Sequence, residues 1–230
     1  EELMKEFAAP YFQKKMPLRG VVFPTEERMK YFNTLLCMNV DEIVFVENGL
    51  RHVITLSDFI KKQDFSDRPK HMRPIDNPGL LLSGTYFMQE ASRPVPADQK
   101  ENMSDLEEEL AANMVKATYL MPVELLEGEE SDAEKLKANR FKIPILKTQN
   151  GDVFQPLFTD NVELSKYNRE NKYKCLAVPF VNLEKILVPE AKAYMLNPNG
   201  FHIMMPKDLL KGLKIRFGIE DPKKPEPTVQ

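Results

Sequence analysis

Tryptophan is absent from the 230-residue sequence, and cysteine (two), histidine (three) and glycine (nine) are scarce. Each shortage excludes a class of protein. Cys37 and Cys175 are too few to staple a small secreted fold. A reduced, partly buried state is expected for both, with pairing only if the fold brings them together. The histidines are His52, His71 and His202, and the chain contains no His-x-x-x-His or Cys-x-x-Cys spacing, so no local zinc signature exists. Nor does it contain a Gly-x-Gly-x-x-Gly loop, a P-loop or a Gly-x-Ser-x-Gly elbow. No metal and no cofactor is expected.

Long apolar runs are also missing. None approaches the roughly 18–20 residues that cross a bilayer, and Glu1-Glu2-Leu3-Met4-Lys5 has no signal-peptide core. A cytoplasmic protein without membrane insertion is the expectation, and sequence upstream of Glu1 is left open. Charge of one sign is lacking too. With 32 basic and 35 acidic residues the net charge is −3, which gives no basic field for nucleic acid. A protein partner is the expected kind, of unidentified nature, and the oligomeric state is left open.

What is present suits a globular fold: 42% apolar and 29% charged residues support a sizeable core. The stretch Ala91–Asn102 is polar, carries Pro94 and Pro96, and lacks any apolar period, so 91–103 reads as a linker. Before it, residues 1–90 read as a small α+β unit. After it, 104–215 reads as a larger domain, and 216–230 as a mobile tail.

In the larger domain Ser104 and Glu107 have capping-box spacing, and Leu106, Leu110 and Met114 draw one helical stripe. Ala117–Val123 reads as a strand. The acidic stretch 128–138 reads as a solvated loop. Phe141–Leu146 and Val153–Phe158 flank Asn150-Gly151, a tight hairpin signal, with Pro144 and Pro156 expected at edges or bulges. Thr159 or Asp160 caps a short helix through Leu164. Cys175–Pro179 is a further strand and Leu183–Leu187 a short helix. Ala193–Leu196 and Phe201–Met205 form a second hairpin around Asn199-Gly200, and Pro206 opens a closing helix. Strands and helices mix without strict alternation. The fold class is therefore α+β: a mixed, largely antiparallel sheet with short helices packed on it, preceded by a second, smaller α+β unit.

The first unit uses similar grammar. Thr25 caps a helix with Met29, Phe32, Leu35 and Leu36, and Glu42–Val46 turns at Asn48-Gly49 into Leu50–Thr55. Ser57–Ile60 starts a helix, and Asn77-Pro78-Gly79 loosely mirrors the later Asn-Pro-Asn-Gly. An unrelated α+β unit is favoured over a degenerate repeat, and both stay open.

The ordered set Lys116–Val123, Asn150-Gly151 leading to Phe158-Thr159-Asp160, and Asn197-Pro198-Asn199-Gly200-Phe201 resembles the SseB family. These are the bacterial enhanced serine sensitivity proteins, and the resemblance covers their N-terminal domain. One departure is Asn161-Val162-Glu163, where many relatives place an aromatic residue. The resemblance implies no catalytic residues. Together with the missing motifs it points to a binding or regulatory module, and since loops held on a rigid sheet commonly carry function, the expected contact surface includes Phe158, Thr159, Asp160, Asn197, Asn199 and Phe201. Two alternatives stand beside it: an enzyme pairing Cys175 or Cys37 with a histidine, and a structural subunit of a larger assembly. His52 and His202 fall in strand-like runs and read as half-buried structural residues, and both cysteines read as small core hydrophobes.

Overall fold

The computed structural model describes residues 2–16, 18, 24–61, 64–69, 72–128 and 130–219. His71 and most of the expected tail lie outside the described residues. Eight α-helices and nine strands in three sheets make an α+β fold among them. The chain divides into two compact units, residues 1–74 with 78–110, and residues 75–77 with 111–230.

The first unit holds helices α1 (Glu2–Gln13) and α2 (Arg28–Cys37), strands β1 (Glu42–Glu47) and β2 (Leu50–Thr55), and helix α3 (Pro78–Ala91). It ends within α4 (Met103–Lys116). Strands β1 and β2 pair from Glu42↔Thr55 to Glu47↔Leu50. Asn48 (φ 51°) and Gly49 (φ 76°) are both left-handed, as a two-residue hairpin turn requires. Phe32 of α2 meets Phe45 of β1 edge-on, with ring centroids 6.2 Å apart.

Several local expectations are corrected here. Thr25 does not cap α2; it opens a 3₁₀ turn, Thr25–Glu27, and no side chain caps the helix that follows. Leu56–Asp58 is likewise a 3₁₀ turn rather than an α-helix, pinned by the fully buried Leu56. Asn77-Pro78-Gly79 makes no hairpin-like turn, because Pro78 begins α3 and proline suits a first helical position. The proline-bearing stretch after α3 carries the 3₁₀ turn Ala97–Gln99. Within it the buried Arg93 lies 3.3 Å from Glu90 and 3.4 Å from Glu101. Ser104 sits inside α4, which starts one residue earlier, so it does not occupy the N-cap position.

The second unit continues with β3 (Thr118–Leu125), α5 (Asp132–Lys137), β4 (Phe141–Lys142), β5 (Leu146–Lys147), β6 (Val153–Leu157) and α6 (Asn161–Tyr167). It closes with β7 (Lys174–Pro179), α7 (Phe180–Ile186), β8 (Ala193–Leu196), β9 (Ile203–Pro206) and α8 (Lys207–Arg216). One sheet runs β4-β3-β7 and the other β5-β6-β8-β9. Pairs are antiparallel except β6 with β8, which is parallel. Leu120 and Phe158 exchange two backbone hydrogen bonds, of 2.9 and 3.0 Å, which join the two sheets.

The stretch 128–138, expected as a solvated loop, contains α5. Ser131 and Glu134 form a capping box that starts it. Pro156 does not sit on an edge strand, since β6 is flanked by β5 and β8. The short β5 opposes only Val153 and Phe154, so no ladder partner faces proline's missing N–H on that side. Pro122 in β3 has the same excuse, because β4 opposes only Glu124 and Leu125.

Tyr119, Leu157, Leu183, Tyr194, Leu196, Met205 and Leu210 form the fully buried interior. The two tyrosine hydroxyls there donate to the carbonyls of Met114 and Leu183, each at 2.8 Å, which makes their burial tolerable. Gln155 is equally buried. Its amide nitrogen lies 3.1 Å from Met121 Sδ, and its oxygen accepts from Val188 N at 2.9 Å.

Candidate functional site

The candidate residues of the 158–160 and 197–201 motifs meet at one corner of the second unit, where β6 and β8 end and α6 begins. Strand β6 stops because Phe158 leaves its sheet to bridge to Leu120. Thr159 follows, fully buried. Its N–H donates to Asn197 Oδ1 at 3.0 Å, and Asn197 Nδ2 donates back to Thr159 Oγ1 at 2.9 Å. The Thr159 hydroxyl donates in turn to Asp160 Oδ2 at 2.6 Å.

Asp160 is the helix cap. Its Oδ1 accepts from Val162 N at 2.7 Å and Glu163 N at 2.9 Å, satisfying amides that the first turn of α6 leaves open. Every side-chain polar atom of Thr159, Asp160 and Asn197 is therefore engaged internally. Thr159 and Asp160 hold the corner together.

Asn197 has a left-handed backbone (φ 48°), and its carbonyl accepts from Gly200 N at 2.8 Å and His202 N at 3.1 Å. The hairpin between β8 and β9 is consequently not a two-residue Asn199-Gly200 turn. It is the longer loop 197–202, with positive φ at Asn197 and His202. The first hairpin departs likewise: Gly151 (φ 82°) alone is left-handed in the loop 148–152, and its N–H donates to Thr148 O at 3.0 Å.

Asn199 and Gly200 are exposed and Phe201 is half-buried. Asn199 Nδ2 donates to Lys166 O at 3.0 Å, tying the loop to α6. Beneath the loop lies Glu163, whose side chain is 6% exposed. One of its oxygens pairs with the Lys166 ammonium, and the other, Oε2, is buried with no hydrogen-bond partner. A Cβ on Gly200 would stand 2.5 Å from that oxygen, so any larger residue there requires the Glu163 carboxylate to move.

Phe158 is fully buried and begins an aromatic row. Its ring centroid lies 5.3 Å from that of Tyr167, which stacks on Tyr173 at 5.6 Å. The Tyr167 hydroxyl is pushed up to about 12, by burial first and then by Tyr173.

Cys175 is half-buried against Leu120, Phe158 and Leu164. Burial pushes its thiol up to about 11, the reverse of what a nucleophile needs. The neighbouring cations are occupied elsewhere: Lys172 pairs with Glu124 at 3.0 Å and Lys174 with Asp132 at 2.9 Å. Cys37 is half-buried at the end of α2 and takes part in no disulfide. The two histidines within the described residues are not half-buried as expected. His52 is exposed on β2, and His202 is exposed at the loop end, with Nδ1 3.3 Å from Gly200 O.

Among the described residues, no group of three or more His, Cys, Asp and Glu side chains is placed to hold a metal ion, and no helix is long and apolar enough to cross a membrane. Glu163, Gln155 and Asn77 are the residues that sequence reading missed. Asn77 Nδ2 donates to Thr118 O at 2.8 Å and Thr159 O at 2.6 Å, across sequence separations that no local pattern reveals.

The geometry defines an α+β domain in which a buried polar corner supports an exposed turn. The matching sequence family is described as the SseB protein N-terminal domain, and it covers residues 97–211. The chain belongs to the SseB family. No curated protein and no solved structure matches it.

Proposed function

We propose that the chain is a non-catalytic protein-binding or regulatory module, and that the loop bearing Asn199, Gly200 and Phe201 touches the partner. The observation that carries this reading is the division of labour at the corner. Thr159, Asp160, Asn197 and Glu163 are buried, while Asn199 and Gly200 stand outside on the loop they brace. Recognition residues commonly sit on loops held by a rigid scaffold. The raised Cys175 thiol supports binding over cysteine chemistry. The net charge of −3 favours a protein over a nucleic acid as partner, and kinship with the SseB family supports a bacterial, cytoplasmic setting.

The test is site-specific photo-crosslinking of the full chain in a bacterial extract. A cross-linker at position 199 should capture a defined protein that one at exposed Lys211 does not, and Phe201→Ala should abolish the capture. Equal capture from both positions, or capture indifferent to Phe201, would remove this surface from the function.

A further inference from the structure

We propose that the outer edge of β1 is a docking site for an extended peptide of another protein, one with aliphatic side chains at alternate positions between basic ends. The site lies on the first unit and goes beyond the loop of the second, which takes no part in it.

The second unit shows what such an edge accepts. There Pro179, with extended backbone (φ −62°, ψ 148°), leads into α7, and β8, a turn containing Asn199-Gly200, and β9 follow. The first unit has the same order. Pro24 (φ −55°, ψ 151°) precedes the 3₁₀ turn that runs into α2, and β1, Asn48-Gly49 and β2 follow. The sequences run alike as well, with His52-Val53-Ile54 beside His202-Ile203-Met204 and Ser57-Asp58-Phe59-Ile60 beside Lys207-Asp208-Leu209-Leu210. Phe45 of β1 packs on Phe32 of α2, as Tyr194 of β8 reaches Leu183 of α7. One thing differs. Strand β8 carries β6 on its outer edge, whereas among the described residues β1 pairs with β2 alone.

The two-residue turn makes Glu47↔Leu50 the closing pair, so Ile43, Phe45 and Glu47 point their main-chain N–H and C=O groups at β2. The Leu56 N–H, which donates to Asp41 O at 2.8 Å, continues the alternation. Glu42, Val44 and Val46 therefore point theirs outward, where an added strand gains a hydrogen-bonded ladder. Side chains of that strand alternate between the two faces. One set enters the cleft between α1 and the hairpin, lined by Phe7, Tyr11 and Phe12 with Val44 and Val46. The two valines are 58% and 45% exposed. At about 1140 Å³ the cleft exceeds the roughly 300–1,000 Å³ of small-molecule sites and suits a row of side chains.

Charge selects the occupant. Asp41 and Glu42 are exposed at one end of β1 and Glu47 at the other, with only Ile43-Val44-Phe45-Val46 between them. A second copy paired antiparallel about Val44 would set Asp41 against Glu47 twice, and like charges directly opposite are destabilising. A segment with lysine or arginine at each end meets these carboxylates instead.

The experiment uses the full chain and the fluorescein-labelled peptide Lys-Val-Ser-Val-Ser-Val-Lys, followed by fluorescence anisotropy. The peptide should bind saturably, and at least tenfold more weakly when its internal amides are N-methylated or its ends are changed to glutamate. Bound peptide should slow hydrogen exchange at Val44 and Val46 at least tenfold and leave Ile43 and Phe45, already bonded to β2, unchanged. Glu42→Lys combined with Glu47→Lys should invert the preference, so that the glutamate-ended peptide binds more tightly. Absent binding, indifference to N-methylation or to end charge, or unslowed exchange at Val44 and Val46 would each overturn the proposal. If the charge-reversed variant loses protection at Ile43 and Phe45, Val44→Pro takes its place, since it removes an outward N–H and spares the β2 ladder. That variant should bind the lysine-ended peptide at least tenfold more weakly, and undiminished binding overturns the proposal. A dimer in light scattering that Val44→Pro dissolves assigns the edge to a second copy and overturns the peptide assignment. Capture from position 199 does not depend on this edge, so failure here leaves the module reading standing.

Discussion

Thr159 and Asn197 grip each other through two reciprocal hydrogen bonds, main-chain N–H to side-chain oxygen one way and side-chain amide to hydroxyl the other. Both residues are fully buried, so the pair replaces strand pairing where β6 and β8 end. Asn197→Ala leaves a buried N–H without an acceptor, a loss of about 1–3 kcal/mol. Urea unfolding should register it as a lower midpoint with an unchanged slope. In a double-mutant cycle with Thr159→Val the two losses should add only in part, because either change removes the amide-to-hydroxyl bond while Asn197→Ala alone removes the acceptor of the main-chain N–H. Strict additivity would mean that the two side chains do not act together.

Asp160 should behave as a helix cap. Asp160→Ala is expected to cost about 1 kcal/mol, and Asp160→Asn distinctly less, since its amide oxygen still accepts from the first-turn amides. Faster hydrogen exchange at Val162 and Glu163 in the alanine variant would locate the loss. Equal costs for the two variants would refute capping as the cause.

Gly200→Ala pushes a methyl group against the Glu163 carboxylate, and overpacking of this kind costs about 1–3 kcal/mol. The damage should shrink when Glu163 is first replaced by alanine. Thermal melts of the four proteins in the cycle read this coupling directly, and an undiminished cost would place the obstruction elsewhere.

Cys175 holds its proton to a higher pH in the folded chain than a free thiol does, about 11 against 9.0. The sign follows from proton linkage: the stabilising contribution is fully present below about 9 and is lost as pH rises toward about 11. Between those limits the Tm of the unmodified protein should fall more steeply than that of Cys175→Ala. At pH 8 iodoacetamide should modify Cys175 far more slowly than a free cysteine. Fast labelling would reopen cysteine chemistry for this chain.

The three asparagine–glycine pairs mark what local sequence can and cannot tell. At Asn48-Gly49 the strands pair up to the turn itself, and both residues adopt positive φ as the dipeptide prefers. At Asn150-Gly151 the ladder ends at Lys147↔Val153, a longer loop remains, and Gly151 alone is left-handed. At Asn199-Gly200 neither residue is, because Asn197 is drawn into the corner and starts the loop earlier. The dipeptide announces a reversal, whereas strand register decides its geometry.

The Asp160 cap was legible because its targets are two and three residues away. The Asn77 contacts were not, since their acceptors lie 41 and 82 residues along the chain. Helix α5 was legible in principle from Ser131 and Glu134, but the acidic composition around them masked the capping box.

The parallel pairing of β6 with β8 is achieved by a detour: the chain leaves one sheet, contributes β7 to the other, and comes back. The two sheets are thus woven by a single thread, because β7 joins one sheet between the strands β6 and β8 of the other. A chain cut after Pro179 would strip β6 of its β8 neighbour while β7 stayed in place, so no half of this weave is a finished object. Melting of the second unit should accordingly occur as one event, with tyrosine fluorescence and far-ultraviolet dichroism tracing the same curve.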